Sequence, residues 1–430
     1  MKIKNLSFAL LVLMVSCQDK EDEMVMKGNN EPSGSCYRVS ALYSTKHTIP
    51  VEEAEKNALQ MMENLYGSGN GLKSGHKRAV ENVQVITKAK SSLKSCNSQL
   101  PDTLAYVVSF ADSAGFSIVS ADDRVVTPVL ACIEKGTYGD GANIPGFQLA
   151  VKNAQNYIAA SIEDFEENKE ACLYYLKTHN DIPVVENDLK AKATKVKGPY
   201  LSTKWGQESP YNMYSPICSK CGENSSVTGC FPTAMAQIMA YYRHGIFAKS
   251  RWDSIWAMPE VARMIYGAQV MREIGRQNNA EYCCGGCGGT AVIQEWYPAD
   301  DGVAYYNKWI DSQGFVNKYY SYSWDKLKSF LERRPVLMSG KCSEGGHSWI
   351  ADGYKVVYTK IPLFSNLIIE SLATYYAHIN WGWSGRCDGY FDRNCFRPAN
   401  AVSYDDPSLS NYSSFNFDTK LRVIEIYPKN

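Results

Sequence analysis

The sequence predicts an α+β protein: a helical layer on an antiparallel sheet in the second half, preceded by a smaller α+β region. Three observations carry that expectation. Residues 105–110 and 115–120 are rich in β-branched and aromatic side chains and flank an Asp112-Ser-Ala-Gly115 break, the pattern of a hairpin. Helical periodicity runs through residues 51–66 and 148–178. Beyond Tyr200, an amphipathic helical run follows Gly229, and the residues after His347 read as a buried strand.

Taken in chain order, the first element is an address. Residues 1–17 read MKIKNLSFALLVLMVSC, with Lys2 and Lys4 before an apolar stretch too short to span a bilayer. The ending Met14-Val15-Ser16-Cys17 resembles a bacterial lipobox, in which the peptide is cut before a lipid-bearing Cys. Export is therefore expected, with Cys17 as a lipid anchor at the cell envelope and the polar stretch after it as a tether. Any membrane contact would run through that lipid alone, and processing could release the protein.

The helix at 51–66, the hairpin and a strand at 125–133 broken by Pro128 build the first region, and the helix at 148–178 closes it. The acidic face Glu163, Asp164, Glu166 and Glu167 is a solvated helix surface. A lysine-spaced stretch at 188–198, with Lys190, Lys192, Lys195 and Lys197, has few bulky apolar residues and reads as an exposed linker open to nicking. The expected division is 1–17 signal, 18–195 N-terminal region and 199–430 C-terminal domain.

Composition narrows the function. With 45 Lys+Arg against 45 Asp+Glu in 430 residues, net charge is zero, which removes the electrostatic argument for nucleic-acid binding. A hydrophobic content of 45% is enough for a sizeable core. Fourteen cysteines suit an exported, disulfide-bearing chain; with Cys17 lipidated, thirteen remain and at least one is unpaired in a monomer. Cys218/Cys221 and Cys283/Cys284/Cys287 invite a zinc reading, but the 61 residues between Cys221 and Cys283 are too many for a compact zinc module. Disulfides or free thiols are preferred there, and no metal or cofactor is expected. The Cys284-Gly-Gly-Cys-Gly-Gly-Thr loop lacks the Lys of a phosphate-binding loop.

The chemistry concentrates in four places. Thr228-Gly229-Cys230-Phe231-Pro232 opens a helix, with Pro232 in the first turn where its missing N–H costs nothing. Cys230 thus sits where the positive end of the helix dipole favours a thiolate nucleophile. Of six histidines, His244 lies over three turns down the same helix, whereas His347 follows two glycines at a strand start and suits a general acid/base. Asn380, in His378-Ile-Asn-Trp381, could hold the imidazole in one tautomer, with Trp381 shielding that bond. Gln207 could donate to an oxyanion beside the Cys230 N–H. The order Gln, Cys, His, Asn is that of papain-like cysteine proteases.

With those residues in view, the sequence resembles the streptopain family of bacterial cysteine peptidases (peptidase family C10). KWGQESPYN, TGCFPTAMAQIM, RPVLMSGKCSEGGHSWIADGY and HINWGWSGRCDGYF carry the likeness from Trp205 to Phe391. YVVSFADSAGFSIVSADDRVVTPVLA resembles the inhibitory propeptide of these enzymes. The resemblance implies a papain-like catalytic domain, a zymogen whose propeptide is an intramolecular inhibitor, and protein or peptide substrates. It implies Cys230 and His347 as the catalytic pair, Gln207 at the oxyanion hole, and Asn380 and Trp381 orienting and covering the His. Phe231-Pro232 and Ser384 depart from the family's pattern, and 356–376 is longer than usual, a flap or a long hairpin. The rival readings are a non-catalytic surface binding protein that keeps the fold, and an acyl transferase with an amine or thiol acceptor.

Overall fold

The computed structural model describes residues 39–67, 78–87, 100–178, 192–218, 225–283, 291–292, 303–342, 345–362, 368–396 and 421–429. Eight helices occur among these residues: α1 (Val39–Tyr43), α2 (Val51–Tyr66), α3 (Pro145–Thr178), α4 (Cys230–Tyr242), α5 (Lys249–Trp256), α6 (Glu260–Gln277), α7 (Val303–Ser312) and α8 (Trp324–Leu331). The strands are β1 (Val80–Thr87), β2 (Thr103–Phe110), β3 (Phe116–Ser120), β4 (Val129–Ile133), β5 (Lys192–Lys197), β6 (Ala280–Glu281) and β7 (Ala291–Val292). They continue with β8 (Phe315–Ser321), β9 (Val336–Cys342), β10 (Gly345–Pro362), β11 (Ile368–Asn380), β12 (Gly389–Asp392) and β13 (Arg422–Pro428). The α+β expectation holds. The proposed signal and lipid site lie outside the described residues, and no helix within them is long and apolar enough to cross a membrane.

Local sequence explains most of these elements. In α2, Glu52 and Glu53 complement the dipole in the first turn, while Ala54, Ala58, Met61, Met62 and Leu65 recur on one buried face. Gly67, at φ 76°, ends it. The hairpin of β2 and β3 pairs Ser109 with Phe116 across the predicted break, and β4 begins directly after Pro128, which cannot donate to a ladder. Helix α4 is buried from Phe231 through Ala240, as befits a helix inserted between a sheet and another helix.

One antiparallel sheet runs β1-β2-β3-β4-β12-β11-β10-β9-β13-β8, with β5 added beside β10. The join between β4 and β12 sets Cys132 opposite Tyr390, so the N-terminal region and the C-terminal half share backbone hydrogen bonds. They share a core as well: Phe147, Val151 and Ile158 of α3 pack in one cluster with Trp349, Trp381 and Phe396. On the other side of the sheet, α4 and α6 pack with Leu337, Ile350 and Ile424.

One expectation changes and one open reading is resolved. The stretch read as an open linker is, over Lys192–Lys197, a strand in register with Tyr354–Tyr358 of β10. Glu332 holds Lys195 at 2.6 Å and Lys197 at 3.8 Å, a neutralisation that lets a lysine-rich segment enter a sheet. The long stretch before the Asn motif is a hairpin, β10 against β11, paired out to Pro362 and Ile368.

Candidate active site

Cys230 is the first residue of α4. Gly229 precedes it at φ 95°, a conformation that glycine adopts without strain. The Cys230 sulfur meets the Ser348 N–H and hydroxyl and the N–H groups of Phe231 and Cys230, all of which favour thiolate, but burial outweighs them and pushes the thiol up. The sequence-based expectation of a dipole-depressed thiol is therefore not met in this form, although the residue as a whole is only half-buried.

His347 is the third residue of β10, adjacent to Ser348, so the fold brings the Cys230 helix onto the His347 strand. The imidazole faces the other way. Side chains alternate along a strand; Ile350 packs with α4, whereas Trp349 packs with α3. His347 stacks on Trp349 at 5.9 Å between centroids. Its Nε2 is buried without a partner. The helix α3 lies against it: a Cβ built on Gly146 would come within 2.8 Å of the His347 ring and 2.5 Å of the Trp381 ring. Cys230 and His347 are thus brought close in the fold, with the His347 ring on the α3 side of the sheet.

Burial alone holds His347 down to about 3. The unfolded chain takes up that proton below about pH 6.5, whereas the folded chain stays neutral until near pH 3, so this residue costs stability as pH falls through that window. At pH 5 the loss is about 2 kcal/mol, at about 1.36 kcal/mol per unit. A His347→Gln protein lacks it, and its urea midpoint is expected to fall less between pH 7 and pH 5 than that of the wild type. Equal falls would contradict the buried, neutral imidazole.

Asn380, at the end of β11, does not bond His347. Its Nδ2 donates to Thr203 O at 3.1 Å and to Gln237 Oε1 at 3.3 Å. Its Oδ1 accepts from Gln237 Nε2 at 3.1 Å and from Gly382 N at 3.0 Å. The expected His347 tautomer bond is thus replaced by an amide pair with Gln237 of α4, a residue not singled out in the sequence. It was detectable: Gln237 follows Cys230 by seven residues, two turns on the same face. Gly146 left no comparable signal.

Trp381 lies near His347, since a Cβ built on Gly146 would meet both rings. Its N–H donates to Asp388 at 2.9 Å and its Nε1 to Cys387 O at 3.0 Å. Burial pushes Asp388 up to about 7. His378, two residues before Asn380, lies 2.5 Å from Asp352; burial opposes its charge, yet the Asp352 carboxylate raises it. Gln207 is buried with its Nε2 unpartnered, a donor free for an anionic oxygen. Its backbone is tied down, because Thr228 N donates to Gln207 O at 3.0 Å.

The remaining sequence signals fall into place around this centre. Phe231 packs on Trp309 at 5.8 Å, which gives the departing residue a core role. Ser384 adopts φ 58°, a left-handed conformation costing about 1–2 kcal/mol that explains why glycine suits the position. His244 lies just past α4 and bonds Gly314 O at 3.0 Å. Cys283 is disulfide-bonded, and the Cys218 sulfur lies 3.5 Å from it. Cys221, Cys284, Cys287 and the glycine loop lie outside the described residues. Among those described, no group of three or more His, Cys, Asp or Glu could hold a metal ion.

Known proteins match much of this chain. Streptopain of Streptococcus pyogenes is 23% identical over 329 residues, covering 67% of this chain and 73% of that protein. A thiol protease/hemagglutinin, PrtT of Porphyromonas gingivalis, is also 23% identical, across 69% of this chain and 34% of its own length. A prointerpain A fragment from Prevotella intermedia superposes on 80% of this chain and 98% of its own, at 18% identity and a TM-score of 0.45. The model of the Peptidase C10 family matches residues 205–258 and 250–391, the span that holds Gln207, Cys230, His347 and Asn380. Through that span the chain is similar to the Peptidase C10 family, and the relatives that it matches include a thiol protease.

Proposed function

We propose that the protein is an exported cysteine endopeptidase made as a zymogen, with residues 18–195 as its propeptide and 199–430 as its catalytic domain. The observation that carries this reading is the packing of the Cys230 helix terminus against the His347 strand, with α3 seated on the His347 ring. The His347 ring turns toward Cys230 once α3 departs and takes the thiol proton. The thiolate then adds to a peptide carbonyl carbon, forming the S–C bond, and the oxyanion accepts hydrogen bonds from Gln207 Nε2 and the Cys230 N–H. His347 returns the proton to the leaving amine as the C–N bond breaks. It then deprotonates the water that hydrolyses the thioester. Trp381 shields the imidazole, and Asn380 supports the turn that bears Trp381.

The MKIKNLSFALLVLMVSC segment supports export with a lipid on Cys17; fatty-acid labelling lost in Cys17→Ser is the check. The whole reading is tested with a peptide blocked at both ends, incubated with the full chain after a limited nick. Internal cleavage with release of a free carboxylate is expected. No turnover would leave the surface-binding reading in front. A product in which an added amine replaces water would instead mark an acyl transferase.

A further inference from the structure

The Gln237 side chain is fully buried, and every polar atom of its carboxamide is used. Its Oε1 accepts from the Thr203 hydroxyl at 2.9 Å, the Trp205 N–H at 3.1 Å and Asn380 Nδ2 at 3.3 Å. Its Nε2 donates to Asn380 Oδ1 at 3.1 Å. These partners belong to two separate pieces of chain, and each piece leads into the candidate site. Two residues beyond Trp205 is Gln207, the free donor. One residue beyond Asn380 is Trp381, against the His347 ring. The Trp205 carbonyl also accepts from Ser384 N at 3.3 Å, closing the two pieces on each other.

We propose that Gln237 is a positioning residue: its carboxamide fixes the Gln207 segment and the Trp381 turn at one spacing from the Cys230 helix. This rests on the peptidase reading and deepens it. Only an amide suits the place. A carboxylate would set oxygen against Asn380 Oδ1, and an apolar side chain would strand the Thr203, Trp205 and Asn380 donors in the interior. A bystander glutamine would affect only stability. A positioning residue affects the step that needs the Gln207 donor, because a misplacement of about 1 Å costs on the order of 100-fold in rate.

The test uses the full chain, nicked to activate it, with rates referred to titrated active sites. Gln237→Glu is compared with wild type in two reactions. Hydrolysis of the blocked peptide needs the oxyanion donors; alkylation of Cys230 by iodoacetamide needs only the thiolate. Expected is a fall in kcat on the order of 10- to 100-fold with KM within about threefold. Alkylation and its pH profile should stay within about twofold of wild type, since no oxyanion forms in that reaction. Adding Gln207→Ala to Gln237→Glu should lower kcat less than Gln207→Ala does alone, since both act through one donor. Unchanged kcat per titrated site, or losses that simply multiply, would overturn the proposal. Should Gln237→Glu fail to fold, Thr203→Val removes one donor to the same oxygen and is expected to give the same pattern at about three- to tenfold; unchanged kcat there would overturn it equally. A wild-type chain that cleaves no peptide overturns the peptidase reading itself, whereas an active wild type with unaffected variants overturns only the role of Gln237.

Discussion

Cys230→Ala is expected to abolish peptide hydrolysis, lowering kcat by a factor on the order of 10⁴ or more, as loss of a covalent nucleophile does. The change removes one sulfur from the start of α4, where Gly229 and the Thr233 N–H to Gly229 O bond of 3.2 Å keep the helix end in place. The variant should therefore fold and leave the blocked peptide intact. Intact-mass labelling with an irreversible, thiol-directed peptidyl inhibitor gives a second reading of the same prediction. In the soluble chain lacking residues 1–17, one adduct on Cys230 should appear after a limited tryptic nick and be nearly absent before it. Other thiols supply the internal control: Cys132, Cys387 and Cys395 are buried, and burial raises Cys132 to about 12. An adduct that survives Cys230→Ala, or one that never forms, would remove the peptidase mechanism.

The second large effect belongs to Gly146. A side chain there meets the Trp381 ring at 2.5 and 2.6 Å and the His347 ring at 2.8 Å, all closer than real Cβ atoms stand. Neither neighbour can yield. Trp381 is fixed by Asp388 and Cys387, and His347 is stacked on the fully buried Trp349. The start of α3 must lift instead. Gly146→Leu is thus expected to make the uncut chain label at Cys230 at least about tenfold faster than the uncut wild type, with about 1–3 kcal/mol lost from its stability through overpacking. Labelling as slow as wild type would mean that α3 does not hold the site inactive through this contact.

Much of the fold was legible because it depends on local pattern. The 3.6-residue recurrence of Ala54, Ala58, Met61 and Leu65 marked α2 to the residue, and the turn chemistry of Asp112–Gly115 marked the hairpin. Cys230 was readable because Gly229 and Pro232 announce a helix start. What stayed hidden depends on pairing between distant segments. Composition made 192–197 look like a linker; only the opposing β10 edge and Glu332 turn it into a strand. Asn380 looked like a partner for His347 because sequence order cannot show that Gln237 occupies its amide first. Likewise, nothing near Gly146 reveals that the rings of His347 and Trp381, 201 and 235 positions later, close over it.

The strand pairing between β4 and β12 has a consequence for activation. A cut in the connecting segment removes a covalent bond but none of the ladder from Ala131–Ile133 to Gly389–Phe391, nor the shared core of Phe147, Trp349 and Trp381. On the zymogen reading proposed above, the two fragments would remain a complex, and what the cut would change is the effective concentration of one for the other. Before it, rebinding is intramolecular and independent of dilution; after it, rebinding is bimolecular and set by how much protein is present. At high local concentration, the nicked protein would stay largely silent. Dispersed, or with its departing fragment digested, it would become active, so the scissile event licenses activation and mass action decides when it occurs.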